Sequence, residues 1–461
     1  MSEELLKKRK NGFDGISEAE KKEIFDFCED YKEAITKAKT EREFCDLSVA
    51  MLEKAGFCDL AGKEKLSAGD RVYAVNRGKG VFAFVIGSED FEAGMNIVGA
   101  HIDSPRLDLK PNPLYEDGGI GYFKTHYYGG IRKYQWLNIP LSLHGVVIRK
   151  DGVKVEINIG EDPSEPVFCI ADLLPHLAYA QSAKKLSEAF DGEKLNVIVG
   201  NIPAEVDKDK VKYAVMKSLN EKYNICEDDF VTSELELVPA FPARDVGFDR
   251  SLMLGYGHDD RACAYTALRA IIDAKNPEKT AVCMLVDKEE IGSQGNTGMQ
   301  SRFFENTVAR ICDKCCDTYS ELKVRNCISN SACLSADVAA AYDSNFADVY
   351  ERANSAYINE GIAFAKYTGA RGKSSASDAS AEFVAKIGRI MDNANVMWQC
   401  AELGKVDAGG GGTIACYLAN LDIDVIDVGI PLLAMHAPYE VAGKFDTYMA
   451  YKGYKAFYDS L

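Results

Sequence analysis

The sequence predicts an α/β fold: a mixed central sheet with helices on both faces, interrupted in mid-chain by a β-rich segment. Three observations predict it. Two apolar runs, residues 80–87 and 281–286, have strand length and no polar face, as strands buried on both sides do. Strand-like and helix-like stretches alternate at both ends of the chain. Between them the pattern changes to glycine-rich turns (Asp117-Gly118-Gly119, Tyr128-Gly129-Gly130) and alternating strands such as 142–148 and 153–159.

Taken in order, residues 17–55 read as helix, opened by a capping-box pattern at Ser17-Glu18-Ala19-Glu20. Strands follow at 71–76 and 80–87. A third, at 96–105, runs into the polar, proline-stopped end His101-Ile102-Asp103-Ser104-Pro105. The β-rich segment includes one clear helical stretch, 208–222. The α/β rhythm then returns with a helix from Asp259-Asp260-Arg261 to Ile272, the strand 281–286, a helix over 303–319 and a strand end at Ser335-Ala336-Asp337. A helix spans 378–391. Gly409 to Gly412 open another at 413–418, and a strand at 424–431 leads to Met435-His436. The expected division is 1–106 and 245–461 as two parts of one α/β domain, with 107–244 as the inserted β-rich domain.

Composition narrows the partners. At 461 residues the chain exceeds one ordinary core, and two domains are expected. Asp and Glu number 71 against 54 Lys and Arg, so the surface repels phosphate backbones and nucleic acid is not an expected partner. No run is long enough to span a bilayer, and the charged start Met1-Ser2-Glu3-Glu4-Leu5-Leu6-Lys7-Lys8 lacks the apolar core of an export signal. A cytoplasmic location is expected, with the fourteen cysteines as reduced thiols. Cys312-Asp313-Lys314-Cys315-Cys316 has half the spacing of a zinc site but no second half, and reads as structural.

The chemistry gathers around Asp287-Lys288-Glu289-Glu290-Ile291-Gly292-Ser293, directly after the strand 281–286. On a regular strand adjacent glutamates point to opposite faces. At a strand end followed by glycine the backbone can turn, and both carboxylates can reach one cavity. A solvated Glu-Glu turn is the competing reading. Other strand ends carry His101 with Asp103, Asp337 and His436, and Asp259-Asp260 opens a helix. Ligands of open α/β sheets bind beyond the carboxyl ends of strands. Histidine and carboxylate without cysteine is the donor set of a hydrolytic Zn²⁺, Mn²⁺ or Co²⁺ site. Two cations roughly 3.5–4 Å apart can share a carboxylate and a water, with a further carboxylate moving protons. His101-x-Asp103 fits a carboxylate fixing a ligating imidazole.

At these residues the chain resembles the M18 metalloaminopeptidases, a family that includes aspartyl aminopeptidases and vacuolar aminopeptidase I. The matching stretches are Gly99-Ala100-His101-Ile102-Asp103-Ser104-Pro105, His258-Asp259-Asp260-Arg261, Asp287 to Ser293, Leu334-Ser335-Ala336-Asp337, and Asp427-Val428-Gly429-Ile430-Pro431 with Met435-His436, in family order. The resemblance implies a zinc-peptidase-like catalytic domain interrupted by a dimerisation domain. It also implies a tetrahedral dodecamer built from dimers that encloses its active sites. It implies that Asp259 bridges two divalent metal ions, Zn²⁺ with Mn²⁺ or Co²⁺ as alternatives. His101 and Asp337 would complete one site, Glu290 and His436 the other. Glu289 would be the general base and Asp103 would orient His101, while Asp260 remains an alternative bridge. Single N-terminal residues, acidic or neutral, would be removed from peptides with a free N-terminus.

The sequence departs from the family pattern in three places. No histidine follows Asp337 within several residues, Pro175-His176-Leu177 retains one histidine of two, and Asp407 to Thr413 replaces the usual Cys-Gly-Ser-Thr loop with glycines. Lys366 is the candidate partner for an acidic substrate side chain, while Gly410, Gly411 and His176 are further substrate-binding candidates, each with a plain structural reading beside it. Two other functions fit the residues: a co-catalytic hydrolase of N-acyl amino acids, and a non-catalytic assembly scaffold.

Overall fold

The structure, a computed structural model, describes residues 5, 6 and 8–460. The reading of the first residues as lacking an export signal falls in part outside the described residues. Among those described, no helix is long and apolar enough to cross a membrane. The chain forms two compact units. One comprises Met1–Asp103, Ala243–Met435 and Glu440–Leu461; the other comprises Ser104–Pro242 and His436–Tyr439.

The first unit is built on a nine-stranded mixed sheet. Its centre is four adjacent parallel strands in the order Thr280–Val286, Met95–His101, Ala332–Ser335 and Asp424–Gly429. Antiparallel neighbours flank this block: Val81–Val85 pairs with Thr280–Val286, and Ile362–Ala365 with Asp424–Gly429. The apolar runs seen in the sequence are explained by two covered faces. Ala281, Cys283 and Leu285 enter one core with Val81, Ala83 and Val85, while Val282, Met284 and Val286 enter a second core with Phe82 and Phe84. The helices Glu18–Lys37, Glu41–Lys54, His258–Ile272, Ala381–Asn393 and Lys444–Tyr458 supply the first core, and Phe303–Cys315 and Glu321–Ser329 the second.

Three elements differ from the sequence reading. The helix expected over 17–55 is two helices, because Thr40 adopts an extended conformation and forms a capping box with Glu43 that restarts the chain as a new helix. The helix expected over 303–319 ends at Cys315, and Ser320 caps a further one, Glu321–Ser329. The Gly409–Gly412 stretch does not open a helix directly: Gly410–Gly411 pairs antiparallel with Gly369–Ala370, and the helix is the short Ala415–Ala419. Thr413 sets its start, accepting the Ala415 N–H at 3.2 Å.

A five-stranded sheet completes this unit, in the order Arg244–Val246, Leu252–Gly255, Glu440–Gly443, Pro431–Leu433 and Ala339–Ala340. Its short strands run into or out of the segments that carry Asp259, Asp337 and His436. The second unit is a six-stranded, wholly antiparallel sheet in the order Lys154–Ile159, Leu141–Ile148, Ser233–Pro239, Arg106–Asp117, Ile120–Tyr128 and Val197–Gly200. Its main helix is Lys210–Tyr223. All fourteen cysteines are free thiols.

Candidate metal centre

Parallel pairing brings three chemically loaded strand ends side by side. Val286 is level with His101 in the sheet, and Ser335 is level with Gly99 on the other side of that strand. Asp287 to Glu290, His101 and Asp337 therefore leave the same carboxyl edge, as the topology of α/β sheets favours for ligands. After Val286 the chain turns sharply. Lys288 is left-handed at φ 68, Glu289–Ile291 is one 3₁₀ turn, and Gly292 is left-handed at φ 94, a conformation that glycine adopts without strain. The turn replaces strand alternation, so the two glutamates are no longer held on opposite faces.

One donor atom each from His101, Asp259 and Asp337 lies within 4.8 Å of the others. Asp259 stands equally close to a carboxylate oxygen of Glu290. His101 Nε2 is 3.1 Å from Asp259 Oδ1 and 3.9 Å from Glu289 Oε2. Its Nδ1 is 3.0 Å from the Asp103 carbonyl and 3.3 Å from Asp103 Oδ1. With Nδ1–H donated to Asp103, Nε2 faces Asp259 and, once deprotonated, is the ring atom that can hold a cation.

Asp103 has a second task that sequence spacing does not reveal. Its two carboxylate oxygens accept the backbone N–H groups of Glu289, at 3.2 Å, and Glu290, at 3.3 Å. One buried carboxylate thus fixes both the imidazole and the acidic turn. Asp260 is fully buried and accepts the His101 N–H at 3.3 Å. The helix His258–Ile272 is irregular at its start, where Asp259 has ψ 107 and the Asp259–Asp260 peptide is cis. His258 is buried against Tyr31, its Nδ1 2.7 Å from the hydroxyl, and burial pushes its pKa down to about 3, so the ring is neutral. Gly429 lets the neighbouring chain approach Asp337: a Cβ there would stand 1.5 Å from the Asp337 carbonyl oxygen.

The electrostatics of this cluster call for a cation. Burial pushes Asp337 well above the usual carboxylate range, the charges of Asp260, Asp259 and Glu289 push it further, and His101 opposes them. Burial likewise raises Asp260. Burial acts to lower the His101 pKa, but its bonds to Asp103 and Asp259 outweigh this and raise it. One imidazole among so many carboxylates leaves an excess of buried negative charge. Nitrogen and oxygen donors without thiolate match a hydrolytic Zn²⁺, Mn²⁺ or Co²⁺ ion, so the residues present fit a metal.

The other sequence-derived residues are placed as follows. His436 lies in the segment His436–Tyr439 of the second unit, where its Nδ1 is 2.8 Å from the Gly130 carbonyl; donation there holds its lone pair on Nε2. His176 is exposed in a single 3₁₀ turn, Pro175–Leu177, of the same unit. Lys366 is exposed just past the strand Ile362–Ala365, its carbonyl accepting from Ala379. Gly410 and Gly411 are exposed in their two-residue strand. Cys312, Cys315 and Cys316 belong to no metal-competent cluster among the described residues.

Imidazole and carboxylate donors converging beside a further carboxylate, Glu289, are what a metal-dependent hydrolase requires. Comparison with known proteins makes the class specific. The family described as "Aminopeptidase I zinc metalloprotease (M18)" matches residues 34–458, and the chain belongs to that family. A Clostridium acetobutylicum protein called "Probable M18 family aminopeptidase 1" is 53% identical over 99% of both chains. The crystal structure of an M18 aminopeptidase from Thermotoga maritima matches with a TM-score of 0.95 at 47% identity, covering 99% of this chain and 100% of that one. A yeast mApe1 dodecamer shares the fold at a TM-score of 0.75 and 21% identity, over 94% of this chain and 96% of that chain. The protein is thus a zinc-family metalloaminopeptidase, an enzyme that hydrolyses peptide bonds. Membership decides against the N-acyl hydrolase and scaffold readings.

Proposed function

We propose that this enzyme removes single N-terminal residues by a two-metal, glutamate-assisted attack of water. The observation that carries the reading is the convergence of His101, Asp259 and Asp337 within 4.8 Å, with Glu289 3.9 Å from His101. His101, Asp259 and Asp337 would hold one ion. Asp259, Glu290 and His436 would hold the other. Asp259 is favoured over Asp260 as the shared ligand because the Asp260 carboxylate is engaged with the His101 backbone. Bound metal supplies Lewis acidity, lowering the pKa of a water and polarising the substrate carbonyl.

Glu289 receives the proton of the attacking water and returns it to the leaving amine. Asp103 sets the tautomer of His101 and holds the Glu289–Glu290 turn through its backbone, so that the proton carrier and the ligand keep separate places. The ions are Zn²⁺, in keeping with the family's description, and Mn²⁺ or Co²⁺ are chemically compatible with the same donors.

Substrates are peptides with a free N-terminus. Lys366 offers an ammonium to an acidic first residue, and the backbone of Gly410 and Gly411 offers N–H groups to the peptide. The absence of the usual Cys-Gly-Ser-Thr loop leaves neutral residues as substrates on equal terms with acidic ones. Residues 107–244 form the dimerisation domain, with His176 as its candidate contribution to a substrate site. Dimers assemble into a tetrahedral dodecamer; the yeast mApe1 that shares the fold is itself described as a dodecamer. The location is cytoplasmic, with no nucleic-acid or membrane partner.

A panel of Asp, Glu, Leu, Met and Lys aminoacyl substrates, run after chelation and reloading with each metal, tests this function. Turnover of at least one substrate should return with metal. No bound metal and no turnover after Zn²⁺, Mn²⁺ or Co²⁺ addition would overturn it.

A further inference from the structure

The segment that carries Asp259 is steadied from a direction the two-metal reading does not use. Glu440 is buried, at 1% exposure, and its Oε2 accepts the Asp259 backbone N–H at 3.1 Å. The contact is built into the five-stranded sheet. Glu440 begins the strand Glu440–Gly443 and lies directly opposite Gly255 in the antiparallel strand Leu252–Gly255. That strand leads through Tyr256 and Gly257 to His258 and Asp259. The Asp259 backbone is not helical at this point, with ψ 107. A buried carboxylate oxygen accepting a backbone N–H restrains the direction of that segment. The rest of the segment is also held: His258 by Tyr31, and Arg261 by donation to the Lys39 carbonyl at 2.7 Å and the Tyr256 carbonyl at 3.2 Å.

We propose that Glu440 is a positioning residue for metal binding: by holding the Asp259 N–H it aims the Asp259 carboxylate at the cation site. Outer partners of this kind set the orientation of metal ligands, and their loss weakens metal affinity by about 10- to 100-fold. The role needs an oxygen acceptor of glutamate length and does not need its charge. The inference rests on the reading of Asp259 as a ligand.

The test uses the full-length protein, stripped of metal and titrated with Zn²⁺ against a chromophoric chelator. Glu440→Leu should weaken zinc binding about 10-fold or more. Glu440→Gln, which keeps an acceptor oxygen at the same reach, should restore affinity to within about threefold of the parent. Glu440→Asp, whose shorter side chain withdraws the acceptor, should lie between them, and it decides the matter where Glu440→Leu does not fold. Parental zinc affinity in Glu440→Leu or Glu440→Asp, or no rescue by Glu440→Gln, would overturn the inference. Asp259→Asn, measured alongside, separates the two readings. Unchanged zinc binding in that variant rejects Asp259 as a ligand, whereas weakened binding there with parental binding in the Glu440 variants rejects Glu440 alone.

Discussion

At the scale of single residues, the structure divides labour among carboxylates that look alike in sequence. Asp103 serves three groups at once, the His101 ring and the N–H groups of Glu289 and Glu290. Removing it should be costlier than losing one contact. Asp103→Ala is expected to lower kcat/KM by about 100-fold, with zinc affinity reduced as well, because buried donors are left unpaired. Parallel steady-state kinetics and zinc titration would show this, and near-parental values would mean the turn holds itself. His436→Ala should leave one tightly bound ion per chain instead of two, read by elemental analysis. An unchanged stoichiometry would remove His436 from the site. The candidate ligands were legible because each sits at a strand or helix end, where polarity interrupts an apolar pattern. Glu440 and the second role of Asp103 were not, because both act through backbone N–H groups, which leave no trace in side-chain spacing.

At the scale of elements, the central sheet was readable for a physical reason: strands buried on both faces need apolar side chains at every position, as in residues 281–286. The five-stranded sheet was not. Its strands are two to four residues long and join positions as distant as Leu252 and Gly443, so no periodicity marks them. The break after Lys37 was missed although its signal, Thr40-x-x-Glu43, is present, because helical hydrophobic spacing continues across it. Thr40→Ala should cost about 1 kcal/mol and lower the thermal midpoint without changing bound metal. Gly429→Ala should behave differently. Its Cβ would collide with the Asp337 carbonyl, so a stability loss of about 1–3 kcal/mol should come with weakened metal binding. Calorimetry and metal analysis on both variants would separate a remote element from one that shapes the site; full metal binding in Gly429→Ala would contradict the close approach.

At the scale of the whole molecule, the division into a two-sided α/β unit and an antiparallel unit gives each part its own sheet. In the proposal the first unit carries the catalytic glutamates and most of the ligands, and the second governs assembly. Twelve copies of a 50.6 kDa chain should sediment as a particle of roughly 600 kDa. Such a particle should trim short peptides while sparing the N-termini of folded proteins. A monomer or dimer with the same activity would show that enclosure is not needed.

The central claim is that Glu289 moves the proton while its neighbours hold the metal. Glu289→Gln tests it in one preparation, by measuring bound metal and turnover together. The variant should hold two ions per chain, as in the parent, with kcat lowered by about 10²- to 10⁴-fold. Parental turnover, or loss of the ions along with activity, would contradict it.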